Sequence, residues 1–255
     1  MNIAIVTGAS SGMGREFVRQ ISEKEKFDEI WVIARRKERL EELAQELDVK
    51  VRVIPLDLTE KASFEELSVL LRRERPNVRV LANCSGYGKF GSYVDTTVDD
   101  CMGMIELNCR AITVITQIVI PYMNEGAHIM NLDSLSSFQP VPYLNVYAAT
   151  KAYVLSYSRA LNVELKPRKI NVLAVCPGFV DTEFFARAKT ANENAVTYFN
   201  KIYKADEVIA KAIKDLYKGK KDVSIYGFRI QAQVFLTKLL PHRLIMKIWM
   251  KQQKH

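Results

Sequence analysis

Short apolar segments alternate with amphipathic segments along most of this chain. The apolar segments are rich in β-branched residues, which is typical of buried parallel strands. They are Asn2–Val6, Glu29–Ile33, Val51–Pro55, Val78–Ala82, His128–Leu132, Asn171–Val175 and Val223–Ile225. Between them, apolar residues recur at helical spacing, as at Phe17, Val18 and Ile21. This alternation predicts an α/β fold: a doubly wound parallel sheet of the Rossmann type, with about seven strands and helices on both faces.

No linker, repeat or low-complexity segment divides the sequence. We therefore expect one domain over residues 1–226, with residues 227–255 as a basic, amphipathic C-terminal extension of it. The first apolar segment ends at Thr7 with no basic region before it, so we expect no signal peptide and a cytoplasmic protein. The longest aliphatic stretch, residues 111–120, contains two threonines and a glutamine, which favours a buried helix over a membrane span.

The cysteines and histidines do not have the spacing of a metal site. The four cysteines form no CxxC pair, and the three histidines are far apart. We expect no bound metal, and reduced thiols rather than disulfides. The net charge of +8 is compatible with nucleic acid, an anionic lipid surface or a phosphorylated ligand as a partner. Since no nucleic-acid-binding motif accompanies the charge, we expect no nucleic-acid partner.

A glycine-rich segment connects the first predicted strand to the first predicted helix. Glycines at this position allow a tight turn and a close approach of the backbone to a pyrophosphate, which binds at the helix N-terminus. The segment therefore predicts a dinucleotide site. Its candidate cofactor contacts are Thr7, Gly8, Ser10, Ser11, Gly12, Met13 and Gly14.

The residues after the second predicted strand bear on the choice between NADP(H) and NAD(H). An acidic residue there binds the ribose 2′-hydroxyl of NAD, whereas arginine accommodates the 2′-phosphate of NADP. The chain has Arg35 and Arg36, with no carboxylate before Glu38. Guanidinium groups bind phosphate in a bidentate manner. We therefore expect NADP(H) rather than NAD(H), although the same arginines would also suit the start of a basic helix.

Tyr147 and Lys151 are one helical turn apart in a predicted helix. Reduction of a ketone by hydride transfer places negative charge on its oxygen, so a proton donor must lie beside that oxygen. A nearby cation favours a phenolate and lowers the pKa of tyrosine. Tyr217 and Lys221 have the same spacing, but Tyr147 also has Ser134 upstream, just after the fifth predicted strand. The hydroxyl of that serine can hold the substrate oxygen.

Together, the GxxxGxG spacing, the Tyr147/Lys151 pair and the upstream Ser134 resemble the short-chain dehydrogenase/reductase family, over about residues 2–225. The resemblance implies that Tyr147 is the general acid/base and that Lys151 lowers its pKa and binds the nicotinamide ribose. It makes Asn108 the fourth catalytic residue, holding a water between Lys151 and solvent. The further cofactor contacts it implies are Asp57, Leu58, Asn83, Gly86, Tyr147, Lys151, Pro177, Gly178, Val180 and Thr182.

Three residues depart from the family pattern, and a fourth has two possible roles. Cys84 and Ser85 stand where the family has asparagine and alanine, and Asp133 stands where it often has serine. A carboxylate at that position either disturbs the catalytic serine hydroxyl or points away from it. Asp57 is compatible with a contact to adenine, with capping of a helix that we expect Thr59 to begin, or with both.

Aromatic residues are frequent where the substrate is expected. We predict a substrate loop and lid over residues 182–205. An aromatic lining suits an apolar ketone or secondary alcohol, such as a steroid, bile acid, ketoacyl chain or aromatic carbonyl. The candidate substrate contacts are Tyr87, Phe138, Tyr143, Phe179 and Phe185, and the same aromatic set includes Phe90, Phe184, Tyr198 and Phe199.

These observations lead to one hypothesis and two alternatives. The hypothesis is an NADP(H)-dependent oxidoreductase that interconverts a ketone and a secondary alcohol. The alternatives are a non-catalytic NADP-binding sensor on the same fold and a basic protein that binds a membrane surface. The intact set of reactive residues favours the enzyme over the sensor, and charge is the only argument for the membrane protein.

The C-terminal extension carries six basic residues and no acidic residue. Apolar residues recur at helical spacing over Leu244–Trp249, with Lys247 and Lys251 on another side. Either this helix lies in a membrane surface and collects lipophilic substrate, or it packs on a partner subunit or on the active-site mouth, which we favour. The family resemblance also implies a homodimer or homotetramer, assembled through the predicted helices Val98–Met123 and Tyr147–Leu165.

Overall fold

The structure is a computed structural model that describes residues 1–190, 195–199 and 201–253. Its strands are β1 Asn2–Thr7, β2 Glu29–Ile33, β3 Val51–Ile54, β4 Asn77–Asn83, β5 His128–Leu132, β6 Asn171–Val175, β7 Phe179–Val180, β8 Ile202–Tyr203 and β9 Val223–Ser224. Its α-helices are α1 Gly12–Lys24, α2 Lys37–Gln45, α3 Lys61–Glu74, α4 Val98–Ile105, α5 Ala111–Val119, α6 Asn145–Glu164, α7 Phe184–Ala188, α8 Ala205–Lys218, α9 Phe228–Leu239 and α10 His242–Gln252. A π-helical turn at Glu106–Arg110 joins α4 to α5, and 3₁₀ turns form at Ile120–Tyr122, Leu135–Phe138 and Lys166–Arg168.

Seven of the described strands form one parallel sheet in the order β3-β2-β1-β4-β5-β6-β9. The chain starts in the middle of the sheet, moves outward to β3, and then crosses to β4 on the other side of β1. The last residue of β1, Thr7, pairs with Ile33 on one side and Asn83 on the other. The sheet order confirms the doubly wound Rossmann-type fold. It also places the reversal of strand order, where ligands bind in such sheets, between β1 and β4.

Helices cover both faces of the sheet, because alternate side chains of a strand point to opposite faces. Val6 of β1 packs with residues of α1 and α8, whereas Ile3 and Ile5 pack with residues of α3 and α5. These three side chains are fully buried. Burial of each contributes roughly 1.5–3 kcal/mol to folding. The two apolar layers thereby hold the strand ends, and the loops after them, in a fixed arrangement.

A continuous helical run of 25 residues combines α4, the π-helical turn, α5 and the 3₁₀ turn that follows. Its length is that of a candidate membrane span, and its most apolar 18 residues have a mean hydropathy of 1.3. The sequence analysis did not expect such a span. However, α5 packs into the core against the sheet through Ala111, Ile115 and Val119. We therefore assign the run as a core helix of the domain.

Three segments differ from the sequence-based expectations. Thr59 does not begin the helix that follows β3, because its N–H and hydroxyl both donate to Asp57 and α3 starts only at Lys61. The predicted substrate loop contains α7 and β8, and β8 pairs with β7 in a separate two-stranded sheet. Its residues 191–194 and 200 lie outside the described residues. The C-terminal extension forms two helices, separated at Pro241, which has no N–H to continue a helical ladder.

Candidate active site

The glycine turn between β1 and α1 brings the ends of β1 and β4 into contact. Gly8 has a φ of +69°, and a Cβ on it would lie 2.7 Å from the backbone of Cys84. A Cβ on Gly14 would lie 2.3 Å from the carbonyl oxygen of Gly8. Any other residue at either position would have to displace backbone atoms. The close approach lets the N-terminus of α1 open onto the cleft between the two strands, where its N–H groups and dipole favour a phosphate.

A cleft of about 470 Å³ lies over this turn. Most of the predicted cofactor contacts line it: Gly8, Ser10, Ser11, Gly12, Met13, Gly14, Arg35, Arg36, Asp57, Leu58, Gly86 and Thr182. The side chains of Thr7 and Asn83 are buried instead and do not line the cleft, so their contact with a cofactor stays a prediction. The Thr7 hydroxyl accepts two N–H groups from the end of β4. The Asn83 amide donates to Thr116 and Asn131. Both residues shape the strand ends that carry the cleft.

Arg36 is held in the cleft by two hydroxyls and a carboxylate. Its Nη2 donates to Ser10 Oγ at 3.1 Å and to Ser11 Oγ at 2.8 Å, and its Nη1 pairs with Glu183 Oε2 at 2.8 Å. Arg39 pairs with the same carboxylate. The hydrogen bonds from both arginines lower the pKa of Glu183. The carboxylate thus occupies a place where an anion meets two guanidinium groups, one of which also donates to the two hydroxyls.

A second group of charges lies nearby in the cleft. Arg35 Nη1 is 3.6 Å from Asp57 Oδ2, and the guanidinium of Arg187, on α7, lies 4.0 Å from the centre of the Tyr87 ring. Burial opposes ionisation of Asp57, but the hydrogen bonds from Thr59 and the charge of Arg35 outweigh it and lower the pKa. Asp57 both anchors the turn before α3 and lines the cleft, so the two roles left open by its sequence position are compatible.

Tyr147, Ser134 and Lys151 meet near the carboxyl end of β5. The Tyr147 and Ser134 side chains interact, and the Ser134 hydroxyl accepts the Ser136 N–H at 3.2 Å. Lys151 Nζ donates to the Leu132 carbonyl oxygen at 2.7 Å and lies 5.7 Å from the centre of the Tyr147 ring. Tyr147 and Lys151 share a face of α6 and are both buried. The fold therefore brings these three predicted catalytic side chains together.

Asn108 lies beside this group on the π-helical turn and is fully buried. Its Oδ1 accepts the Tyr87 N–H at 3.0 Å, and its Nδ2 donates to the Tyr87 carbonyl at 2.8 Å and to the Thr150 hydroxyl at 3.0 Å. A Cβ on Gly86 would lie 3.0 Å from Asn108 Oδ1 and 3.7 Å from Lys151 Nζ. The amide thus fixes the loop after β4 next to Lys151. The water-holding role implied by the family resemblance stays a prediction.

The pKa of Tyr147 is shifted in the direction opposite to the one expected from its lysine neighbour. Burial raises the pKa well above its ordinary value, and the negative charge of Asp133 raises it further, although the hydrogen bond with Ser134 lowers it. Burial also lowers the pKa of Lys151, against the effect of Asp133. The ammonium group is directed at the Leu132 carbonyl rather than at the phenol. The expected lowering is therefore wrong for this conformation, because burial outweighs the charge.

A second cavity, of about 140 Å³, adjoins the cleft, and Tyr147 lines this cavity. Its apolar wall is formed by Tyr87, Phe90, Leu135, Val141, Leu144, Phe179, Val180, Phe184, Phe185, Tyr198 and Trp249. Pro177, Gly178 and Thr182, predicted to contact the nicotinamide, line it as well. An apolar cavity with a few convergent polar groups is typical of a small-molecule site. This one fits an apolar ligand that has one polar function near Tyr147 and Ser134.

Two of the predicted substrate residues lie outside this lining. Phe138 packs against Leu155 and Cys176, because the 3₁₀ turn directs Leu135 into the cavity and Phe138 to another side. Tyr143, with a φ of +64°, packs at the edge of the aromatic cluster around Tyr147. The substrate contact of these two residues stays a prediction, whereas Tyr87, Phe179 and Phe185 do line the cavity.

Comparison with known proteins agrees with this geometry. The family described as short chain dehydrogenase matches residues 2–193. The chain belongs to the short-chain dehydrogenase family. An uncharacterized oxidoreductase of Staphylococcus epidermidis is 30% identical over 207 residues, which cover 77% of this chain and 89% of that protein.

Two solved structures of this fold are also similar to the chain. A short-chain dehydrogenase from Sphingobium yanoikuyae in complex with NADPH has a TM-score of 0.80 and 27% identity, with 96% of this chain and 95% of that chain covered. A bulky-bulky ketone specific alcohol dehydrogenase from Comamonas testosteroni has a TM-score of 0.73 and 25% identity, with 94% and 92% covered.

This short-chain dehydrogenase accommodates two of its unusual residues in different ways. Burial raises the pKa of the Cys84 thiol to about 12, so it stays a neutral thiol next to the glycine turn. The Asp133 carboxyl accepts the Cys176 thiol at 3.3 Å, and no hydrogen bond joins it to the Ser134 hydroxyl among the described residues. Burial raises the pKa of Asp133 to about 7. The catalytic hydroxyls are therefore undisturbed by direct contact with the carboxyl group.

Sequence reasoning missed several residues of the site. Glu183 reaches Arg36 across 147 residues of sequence, and no local pattern indicates that contact. Trp249 Nε1 donates to the Pro142 carbonyl at 3.0 Å, so α10 closes one side of the substrate cavity. Helical apolar spacing predicted α10, and packing on the active-site mouth was one of the positions proposed for it. Three glutamines of the cavity wall, Gln139, Gln233 and Gln252, had no sequence signal.

Proposed function

We propose that this short-chain dehydrogenase transfers a hydride between NADP(H) and a ketone or secondary alcohol on an apolar substrate. The observation that carries the proposal is that the Tyr147 and Ser134 side chains interact in the wall of an apolar cavity. That cavity adjoins the cleft over the glycine turn, and Met13, Gly86 and Tyr87 line both. One substrate oxygen can therefore contact both hydroxyls while its carbon faces the cleft.

Reduction of the ketone requires one hydride and one proton. The reduced nicotinamide, when bound, supplies the hydride. The Tyr147 hydroxyl donates the proton to the substrate oxygen, and the Ser134 hydroxyl donates a hydrogen bond to the same oxygen as negative charge develops. Because burial raises the pKa of Tyr147, the phenol is protonated at neutral pH and starts as the donor that reduction needs. In the reverse direction, Tyr147 as phenolate accepts the proton of the alcohol.

The arginine cluster supports NADP(H) rather than NAD(H). A 2′-phosphate would replace the Glu183 carboxylate on Arg36 and Arg39 and would accept hydrogen bonds from Ser10 and Ser11. The charge-assisted, fork-shaped contacts of arginine suit a phosphate dianion. The similar Sphingobium protein in complex with NADPH supports the same choice. NAD(H) has no 2′-phosphate and would leave both arginines paired with Glu183.

The shape and lining of the cavity support an apolar carbonyl substrate. Aromatic and aliphatic side chains dominate the wall, and the described part of the wall has no arginine beside Ser134 to select a carboxylate. A similar alcohol dehydrogenase is specific for bulky-bulky ketones. Steroids, bile acids, ketoacyl chains and aromatic carbonyls remain the proposed classes.

We also propose a homodimer or homotetramer. Val98, Met102 and Ile105 of α4 and Tyr153 and Val163 of α6 are apolar and exposed. The two helices pack beside each other. A subunit contact would bury these exposed side chains. Location in the cytoplasm likewise stays a prediction.

The test of the reaction is NADPH oxidation with a panel of steroids, bile acids, ketoacyl thioesters and aryl ketones. Tyr147→Phe keeps the ring and removes the proton donor, so we expect turnover to fall on the order of 10²–10⁴-fold while NADPH binding is unchanged. Tyr153→Phe, on the same helix, removes a hydroxyl that contacts only Thr113 among the described residues and is the matched control. Equal turnover in wild type and Tyr147→Phe would contradict the proposal. NADPH binding without turnover of any ketone would favour the sensor instead.

A further inference from the structure

Helix α9 is apolar on two opposite sides. Ile230 and Val234 point into the core and are buried. The large apolar side chains of α9 that are exposed, by between 52% and 83%, are Phe228, Phe235, Leu236 and Leu239. Their spacing of seven, eight and eleven positions from Phe228 places them on one side of the helix. Nothing in the described part of the chain covers this second apolar side.

The exposed side of α10 combines apolar and cationic residues. Leu244 and Ile248 are each 44% exposed. Arg243, Lys247 and Lys251 are exposed between and beside them, at helical spacing on the same side. The aliphatic stems of lysine and arginine lie along apolar surface while their charged ends reach further out. The outward side of α10 therefore presents both apolar and cationic side chains.

A groove between the two helices links these exposed sides to the active site. Leu236 of α9 and Ile248 of α10 both line it, and much of its remaining wall is apolar. The groove and the substrate cavity share four wall residues: Gln139, Gln233, Trp249 and Gln252. The groove and the cavity that contains Tyr147 are therefore neighbours, with the side chains of Trp249 and the three glutamines between them.

The same two helices carry positive charge without compensation. Their exposed cations are Arg229, Lys238, Arg243, Lys247 and Lys251. The sequence has no acidic residue from position 227 onward. Within residues 1–190, 195–199 and 201–253, none of these five cations has a carboxylate partner. A patch of one charge sign attracts a surface of the opposite sign.

An anionic lipid bilayer fits this surface better than a second copy of the chain or a nucleic acid. A two-fold contact between two copies would place the five cations against the same five cations. A nucleic acid would leave the exposed phenylalanines and leucines without an apolar partner. A bilayer takes both: apolar side chains enter the boundary between headgroups and acyl chains, and the cations meet anionic headgroups.

We propose that the outward sides of α9 and α10 form a docking face for an anionic membrane surface, and that lipophilic substrate passes from the membrane through the groove to Tyr147. The docking itself is independent of the reaction. The delivery of substrate rests on the proposed function.

The docking is tested by flotation of the full-length protein with vesicles, without NADPH or substrate. We expect it to bind vesicles of equimolar phosphatidylcholine and phosphatidylglycerol, to bind vesicles of phosphatidylcholine alone far more weakly, and to dissociate as the salt concentration rises. Lys247→Gln/Lys251→Gln should lower the partition coefficient on the order of 30-fold, since each cation near an anionic surface contributes about 1 kcal/mol. The charge-matched control is Lys61→Gln/Lys166→Gln, at exposed positions outside α9 and α10, and should bind as wild type does.

The apolar contribution is tested by Phe235→Ser/Leu239→Ser, with Val69→Ser/Val94→Ser as the control at exposed apolar positions elsewhere. We expect the first pair to weaken vesicle binding and the second to leave it unchanged, with the same thermal unfolding midpoint for all variants. Equal binding to both vesicle types, or binding to neither, overturns the proposal. The proposal is also overturned if Phe235→Ser/Leu239→Ser loses oligomeric mass in light scattering while its vesicle binding is unchanged, because the face would then be a subunit interface. If no ketone of the panel is reduced, the proposed delivery of substrate is contradicted, whereas the proposed membrane docking is unaffected.

Discussion

Replacing Glu183 by glutamine should tighten NADPH binding and leave NADH binding unchanged. In the structure the Glu183 carboxylate pairs with Arg36 and Arg39, and the side chains are about half exposed. An exposed ion pair of this kind stabilises by roughly 0.2–1 kcal/mol after solvent screening. A 2′-phosphate must replace the carboxylate at both arginines. Removing the competing charge should therefore gain about 0.4–2 kcal/mol, a roughly 2- to 30-fold lower dissociation constant for NADPH.

Calorimetric titration with NADPH and with NADH, at low and at high salt, measures this effect. The difference between Glu183→Gln and wild type should shrink at high salt, because exposed charges are screened. Glu38→Gln is the matched control, since it removes the same charge from the first turn of α2. An equal gain for NADPH and NADH would refute the reasoning. So would unchanged NADPH affinity in Glu183→Gln together with weakened affinity in Arg36→Gln.

Two further predictions concern stability and pH, and urea unfolding at several pH values tests both. Burial raises the pKa of Asp133 from 3.8 to about 7, so the folded state holds a proton that the unfolded state has lost, and stability falls as the pH rises through this window. Asp133→Asn cannot ionise and should gain stability over wild type across the same window; a pH-independent difference would contradict this. The hydrogen bond from Arg52 is the largest of several effects that lower the pKa of Glu29 from 4.5 to about 2. Glu29→Gln should therefore lose up to about 3 kcal/mol above pH 4.5, and the loss should disappear as the pH falls towards 2; persistence of the loss at the lowest pH would contradict this.

The sequence predicted the sheet and the cofactor cleft well, because both depend on local patterns. Apolar runs and helical spacing identified the strands of the main sheet, and the doubly wound parallel fold predicted from them is confirmed. The glycine turn could be placed between a strand and a helix, which is enough to assign the cleft. The short pair β7 and β8 was missed, since two-residue strands leave no periodicity. The inward direction of the Thr7 and Asn83 side chains was not predictable, because their chain neighbours line the cleft while their own side chains are buried.

The convergence of Tyr147, Ser134 and Lys151 was also predictable, but their ionisation was not. Tyr147 and Lys151 lie on one face of a helix, and Ser134 follows the end of a strand. Parallel strands bring such ends to one edge of the sheet. The pKa of Tyr147 depends on how completely the folded chain excludes water and on where the Lys151 ammonium points. Neither quantity is a property of residue spacing.

Periodicity and motif order in this chain were thus sufficient for the topology, the dinucleotide cleft and the identity of the reactive side chains, since each follows from neighbours within a few turns or from the common edge of parallel strands. Folding added the pairing of Glu183 with Arg36, the raised pKa of Asp133, and the wall that Trp249 contributes to the substrate cavity. These depend on burial and on contacts between residues far apart in sequence. Such contacts leave no periodic trace along the chain, and only the packed structure reveals them.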